Sequence, residues 1–401
     1  MKRVIAAAVF FTFFAALASA SNLPGFRAEK VAGTSGFLTS LTFDSKGQIF
    51  YSITTGEIYR LDGEVSVELT KVPTVSLGDA NLLGIAILDD DHVVAHYVSP
   101  DLTTDVLSKV DLRNGDEQWI TRFPCDDGRP CSSEHHGGNP TVAPDGSIYF
   151  GIGDYGGGIR AQYVEYPAGK IYRISPEGEA TQFARGVRNP YDMVWDPALQ
   201  RLIVGDNGAV GDDEITIAAP DDNLGWPVIS GYQAESGMVT PAYVFPETVA
   251  PTGVALLSAR GAFPGGLVVA SFVTHALYYF PDLAPRPLAD PIPLVIGFDA
   301  PVIDVAQSPS GAIYFGTPTA IYRLDVPARG DCNGDGRIDG ADLDALLHEI
   351  GDGDGTATLS AQDGSFSGSW GCDVDGNGSI DMTDFYALAK EVGKKWRGVR
   401  R

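Results

Sequence analysis

The stretch GFLTSLTFDSKGQIFYSITTGEIYRLDG, Gly36 to Gly63, decides the fold. An apolar run, a polar turn at DSKG, a second β-rich run ending in small residues and a third strand follow one another. Val, Ile, Tyr and Phe dominate the runs, the composition of strands packed against neighbours. The same order returns five times. Leu82 opens LLGIAILDDDHVVAHYV, followed by VLSKVDLRNG. Gly138 opens GNPTVAPDGSIYFGIGD, followed by GKIYRISPEG. Val187 opens VRNPYDMVWDPALQRLIVGDNG, followed by DEITIAAPDD. Thr252 opens TGVALLSARGAFPGGLVVASF, followed by ALYYFPD, and Pro301 opens PVIDVAQSPSGAIYFGTPTAIYRLDV. A period of about 45 to 65 residues is that of propeller blades. A stack of sandwich domains would need larger copies, because none here buries a core alone. The expectation is an all-β, six-bladed β-propeller over residues 21–328.

The pattern stops near Pro327-Ala328-Arg329-Gly330. Two acidic glycine loops follow, DCNGDGRIDGAD and DVDGNGSIDMTD. Calcium takes six to eight oxygen ligands, and a twelve-residue loop offers them from positions 1, 3, 5, 7, 9 and 12 around a glycine at 6. Asp331, Asn333, Asp335, Arg337 (through its carbonyl), Asp339 and Asp342 fit the first loop. Asp373, Asp375, Asn377, Ser379, Asp381 and Asp384 fit the second. Each loop precedes a segment of helical apolar spacing, ADLDALLHEI and TDFYALAKEV. Residues 330–393 are therefore expected to form a small helical two-calcium domain, with 394–401 a basic tail.

The ends and the charge bound the function. Lys2 and Arg3, the apolar run Val4 to Leu17 and Ala18-Ser19-Ala20 read as a secretory signal over residues 1–20. A secreted or extracytoplasmic protein follows, and no other run is long and apolar enough for a membrane span. The formal net charge of −24 excludes nucleic acid as a partner, since phosphates would be repelled. Four cysteines in an exported chain suggest two disulfides; Cys125 and Cys131 are near enough to close a small loop, and Cys332 and Cys372 bracket the C-terminal loops.

Chemistry concentrates between Glu134 and Pro227, in EHHGGNP, GIGD, GVRNP, GDNGAVGDDE and NLGWP. A histidine serves as base near neutral pH, and a carboxylate fixes its tautomer. His135 and Asp154 are the candidate pair, with His136 the competing histidine. Arg188-Asn189 is either a turn capping a blade or a pair stabilising negative charge. Asp213-Glu214 either closes a turn or holds a cation.

In order and wording these motifs resemble the glucose/sorbosone dehydrogenase family of quinoprotein sugar oxidases. The resemblance implies a sugar substrate, His135 as general base, Asp154 as its orienting carboxylate, and Arg188 with Asn189 beside a pyrroloquinoline quinone (PQQ) cofactor. It implies a calcium ion held by the carbonyls of Gly208 and Ala209. Position 12 as Asp, with a helix only after each loop, resembles dockerin modules, which implies calcium and a cohesin-type partner. Several positions depart from the family. Ala209 replaces a proline and Asp79 a glutamine. Val273, Thr274 and His275 stand where a blade-five lysine is expected, and Pro301 and Ile303 where an Arg-x-Arg pair is expected. Two other functions remain open: a non-catalytic propeller binding a glycan or protein, and a calcium-dependent, lactonase-like hydrolase.

Overall fold

The computed structural model describes residues 26–125, 131–209, 211–259, 263, 265–352, 369–375 and 380–399. The signal segment 1–20 and the ligand candidates Asn377 and Ser379 lie outside them.

Six sheets form six blades of a propeller. Blade one holds strands Leu38–Phe43, Ile49–Ile53, Glu57–Asp62 and Val65–Lys71 in order. Blade two begins at Leu82–Asp89 and blade three at Thr141–Val142. Blade four begins at Pro190–Asp196, blade five at Pro251–Leu256 and blade six at Asp304–Gln307. The six copies seen in the sequence are these six blades.

The second strands explain why apolar alternation is weak in the sequence. Ile49–Ile53, Ile148–Ile152 and Leu267–Ser271 are buried at every residue, because each blade is sandwiched between two others. Strands covered on both faces read as continuous apolar runs. The interfaces are filled by separate clusters. Phe50, Ile58 and Val72 meet Leu82, Ile85 and Val93 between blades one and two. Ile303 and Ile321 meet Leu38 and Leu41 between blades six and one. Each such side chain contributes about 1.5–3 kcal/mol by leaving water.

Two features were not legible in the repeats. The outer strand of blade six comes from the start of the described chain: Arg27–Gly33 pairs antiparallel with Ala320–Asp325, Arg27 opposite Asp325. Its residues are mostly exposed, so no apolar pattern marks it. Blade three gains a fifth strand, Asp222–Asn223, parallel to Ala180–Arg185. This carries the chain from blade four back over blade three and delivers Trp226 to its face.

After the propeller come helix α1 (Gly340–Asp352), the short helix α2 (Ser369–Cys372) and helix α3 (Met382–Val399). Cys332, Leu346, Cys372, Ile380, Leu388 and Val392 form their core. Both expected disulfides are present, Cys125–Cys131 and Cys332–Cys372. Helix α3 runs on to Val399, into the basic stretch expected to be a tail. No described helix is long and apolar enough to cross a membrane.

Candidate active site

His135 sits in the loop entering the innermost strand of blade three, and Asp154 follows the second strand of that blade. The backbone of His135 is left-handed, at φ 56°. A non-glycine residue held there is uncommon and is fixed by its surroundings. Gly153 permits the close passage: a Cβ there would strike the carbonyls of His135 and Arg188. The His135 amide donates to Asp79 Oδ2 at 3.1 Å.

His135 Nδ1 and Asp154 Oδ1 are 2.6 Å apart, so Nδ1 carries the proton and donates it. Asp154 is 2% exposed in its side chain. Its oxygens also accept from the Gly156 amide at 2.8 Å, the Gly158 amide at 3.1 Å and Trp226 Nε1 at 2.8 Å. Burial alone would raise the carboxyl's pKa, but the bonds from His135 and Trp226 outweigh it and hold Asp154 below the usual range. Among the described residues nothing pairs with Nε2 of His135. That nitrogen is the free acceptor, on a residue lining a cavity of about 580 Å³.

His136 faces the opposite way. It is fully buried, with Nδ1 3.1 Å from Asp105 Oδ1 and Nε2 2.7 Å from the Ser132 carbonyl. Both ring nitrogens meet acceptors, so the ring is an imidazolium. Burial opposes that charge, and Asp105 more than offsets it, raising the pKa of His136. Tyr155 also donates to Asp105, and His96 Nε2 stands 3.6 Å away. His136 is thus turned inward, drawn by Asp105 from blade two, and does not compete for the cavity.

Arg188 and Asn189 are brought to the same face. Their amides donate to Asp206 Oδ2 at 2.9 Å and Oδ1 at 2.6 Å. Burial, with repulsion from Asp154 behind it, pushes Asp206 up to about 7 despite these bonds. The Arg188 guanidinium donates to the Asn207 carbonyl at 2.8 Å and lies 5.6 Å from the centre of the Trp226 ring. Asn189 Oδ1 accepts from Gly137, which leaves its Nδ2 for a ligand in the cavity it lines.

Gly208 and Ala209 lie outside the cavity wall. The Gly208 amide donates to Asp213, and the Ala209 carbonyl accepts from Asp212. Asp213 also accepts from Val249 and Ala250, so it closes a turn. Residues that sequence reasoning assigned no role complete the cavity: Phe37, Tyr191, Asn207 and Phe272 line it beside Asp79.

The lining tests the implied quinone. Among the described residues it holds no lysine or arginine and one carboxylate, Asp79. In blade five, Thr274 bonds to Ser271 and His275 to the Phe298 carbonyl. In blade six, Ile303 is buried in the core. PQQ carries three carboxylates, which bidentate cations ordinarily hold. Among the described residues this lining offers no cation to pair with the carboxylate end of that cofactor.

In the C-terminal module the first loop is drawn together by amides. Gly336 donates to Asp331 Oδ2 at 3.0 Å, Asn333 to Asp342 Oδ1 at 3.2 Å and Asp339 to Asp342 Oδ2 at 2.7 Å. Asp331 Oδ1 is buried with no partner, as fits a position awaiting a cation. Oxygens of Asp373, Asp375 and Asp384 lie within 4.8 Å of one another in the second loop.

Residues 329–393 match the dockerin type I domain. An uncharacterized protein of Synechocystis is 23% identical over 234 residues, 49% of this chain and 56% of that one. Quinoprotein glucose dehydrogenase B of Acinetobacter calcoaceticus is 27% identical over 148 residues, 29% of this chain and 30% of that one. The matched stretches thus span little more than half of these relatives at most. The structure of the PQQ-bound aldose sugar dehydrogenase of Streptomyces coelicolor shares the fold, at TM-score 0.67 and 24% identity, over 77% of this chain and 99% of that one. With residues 37–323 matching the Glucose / Sorbosone dehydrogenase description, the chain belongs to that family.

Proposed function

We propose that the cavity receives a neutral aldose and that His135 Nε2 takes the proton of its anomeric hydroxyl, with Asp154 fixing the ring and stabilising the imidazolium that forms. The observation that carries this reading is the 2.6 Å contact between His135 Nδ1 and Asp154, with Nε2 left toward the cavity. Arg188 and Asn189 Nδ2 supply positive charge and a donor beside it. Phe37 and Phe272 offer faces against which a sugar ring packs.

Completing the oxidation requires loss of hydride from the anomeric carbon to an acceptor, the role PQQ plays in this family. Among the described residues the lining itself holds no lysine or arginine and only Arg188 stands beside it, which argues against PQQ held through its carboxylates and favours a second reading, a propeller that binds a glycan without turning it over. One experiment separates them. Full-length protein with calcium is titrated with PQQ, then assayed for aldose oxidation with an artificial electron acceptor. Quinone binding and turnover abolished by His135→Ala support the dehydrogenase. Sugar binding by calorimetry, without quinone binding or turnover, supports the glycan-binding propeller.

Family membership and the dockerin match favour an extracytoplasmic protein. Calcium in the loops at Asp331 and Asp373 would shape the C-terminal module to dock on a cohesin-type partner.

A further inference from the structure

Asp79 brings a carboxylate into the cavity from the loop between blades one and two, in GDANLLG. Leu77 and Ala80 exchange backbone hydrogen bonds across this turn, at 2.8 and 3.0 Å. Gly78 is left-handed there, at φ 59°, and a Cβ on it would strike the Ser133 carbonyl. The Asp79 amide donates to that same carbonyl at 2.9 Å. The turn is thus pinned to the loop that carries His135, and Asp79 Oδ2 accepts from the His135 amide at 3.1 Å. Oδ1 has no hydrogen-bond or ion-pair partner among the described residues.

The cations nearby are committed elsewhere. The Arg188 guanidinium donates to the Asn207 carbonyl and lies against the Trp226 ring. The charge of His136 attracts Asp79, but both its ring nitrogens are spent, on Asp105 and on the Ser132 carbonyl.

The hydrogen-bonding capacity left in the lining is weighted towards acceptors. His135 gives its Nδ1 hydrogen to Asp154, so Nε2 can only accept. Asn81 Nδ2 donates to the Gly78 carbonyl, which leaves Oδ1. Asn207 Nδ2 faces the carbonyls of Asn189 and Pro251, which fixes the amide, and its Oδ1 is buried without a partner. An acceptor left so is costly until a donor reaches it. Against these stand Asn189 Nδ2 and the hydroxyls of Tyr191 and Thr54.

We propose that Asp79 makes the cavity selective for an amino sugar, an aldose whose C2 hydroxyl is replaced by an ammonium; the inference rests on the aldose reading above. A neutral aldose received by His135 and Asn189 leaves Asp79 Oδ1 to water. An ammonium pairs with that oxygen, and it brings only donors to a lining rich in acceptors. C2 adjoins the anomeric carbon, and Asp79 adjoins the backbone of the base. The substituent on C2 is therefore the one this carboxylate meets when the anomeric hydroxyl faces His135.

The test titrates full-length protein, with calcium, against glucosamine and glucose by calorimetry, buffered below the pKa of the sugar's amine. Glucosamine is expected to bind about five- to tenfold more tightly, between the worth of a screened surface pair and that of a buried charged bond. The preference is expected to shrink as salt is raised, because only the charged ligand is screened. Asp79→Asn keeps an oxygen for the His135 amide and removes the charge, and it is expected to bind the two sugars alike. If that variant does not fold, the salt series on the native protein decides. Equal affinities in the native protein overturn the selectivity and leave the aldose reading standing. A preference that persists in high salt or in Asp79→Asn does the same. Binding of neither sugar overturns the selectivity together with the aldose reading.

Discussion

Trp226 and Asp154, 72 residues apart, meet where blade four's returning chain crosses blade three, and the indole Nε1 donates to Asp154 Oδ2 at 2.8 Å. That carboxylate is the one that orients His135. Trp226→Phe keeps the ring and removes the donor. It is expected to cost about 1–3 kcal/mol of stability, since a buried carboxylate loses a charge-assisted bond. Denaturant melts compare the two proteins, and a cost near zero would mean that water replaces the indole.

Asp154→Asn tests the proton pathway. An amide beside His135 Nδ1 no longer demands that this nitrogen carry the hydrogen. Any turnover of an aldose is expected to fall about 10²–10⁴-fold in kcat with a smaller effect on KM. A change confined to KM would assign Asp154 to binding alone.

The cation-poor cavity makes a gain-of-binding test possible. Val273→Lys places an ammonium at an exposed rim position beside Phe272, a lining residue. PQQ affinity is expected to rise about two- to fivefold, the worth of one partly screened pairing. Fluorescence titration of both proteins reads this directly.

The buried pair of His136 and Asp105 sets a pH window. The pKa of His136 is raised, so its contribution to stability is whole below the unfolded value and is lost as pH rises through the higher folded value. The pKa of Asp105 is lowered, because its imidazole partners outweigh burial. Its contribution is present above the unfolded value and lost as pH falls through the folded one. Both act fully from about pH 4 to about 6.5. Melting temperature is expected to decline above that window, and His136→Gln to flatten the decline.

Calcium removal should act on the C-terminal module through the loops. Without an ion, Asp335 and Asp342 face Asp331, whose carboxyl burial and like charges push up. Chelation is expected to lower helical circular dichroism from α1 and α3. An unchanged spectrum would mean that the disulfide and core suffice.

Local signals made much of this molecule legible. DSKG and APDG turns, small residues ending strands and six returns of one pattern specify the blades, because each blade is built from neighbours in sequence. His135, Asp154, Arg188 and Asn189 were recognisable because their motifs sit at strand ends. Other features depend on distant chain. His136 turns inward for Asp105, 31 residues before it. Trp226 reaches Asp154 only through a two-residue parallel strand. Arg27–Gly33 carries no pattern because its side chains are mostly in solvent.

That first strand has a mechanical consequence. A load applied through the C-terminal module enters the propeller at Ala320–Asp325. This strand is held on both sides, by Ile313–Thr317 and by Arg27–Gly33. Tension therefore meets two ladders rather than one. The clasp is made from the opposite end of the chain, so a nascent protein can bear such force only after its last blade has captured its first strand.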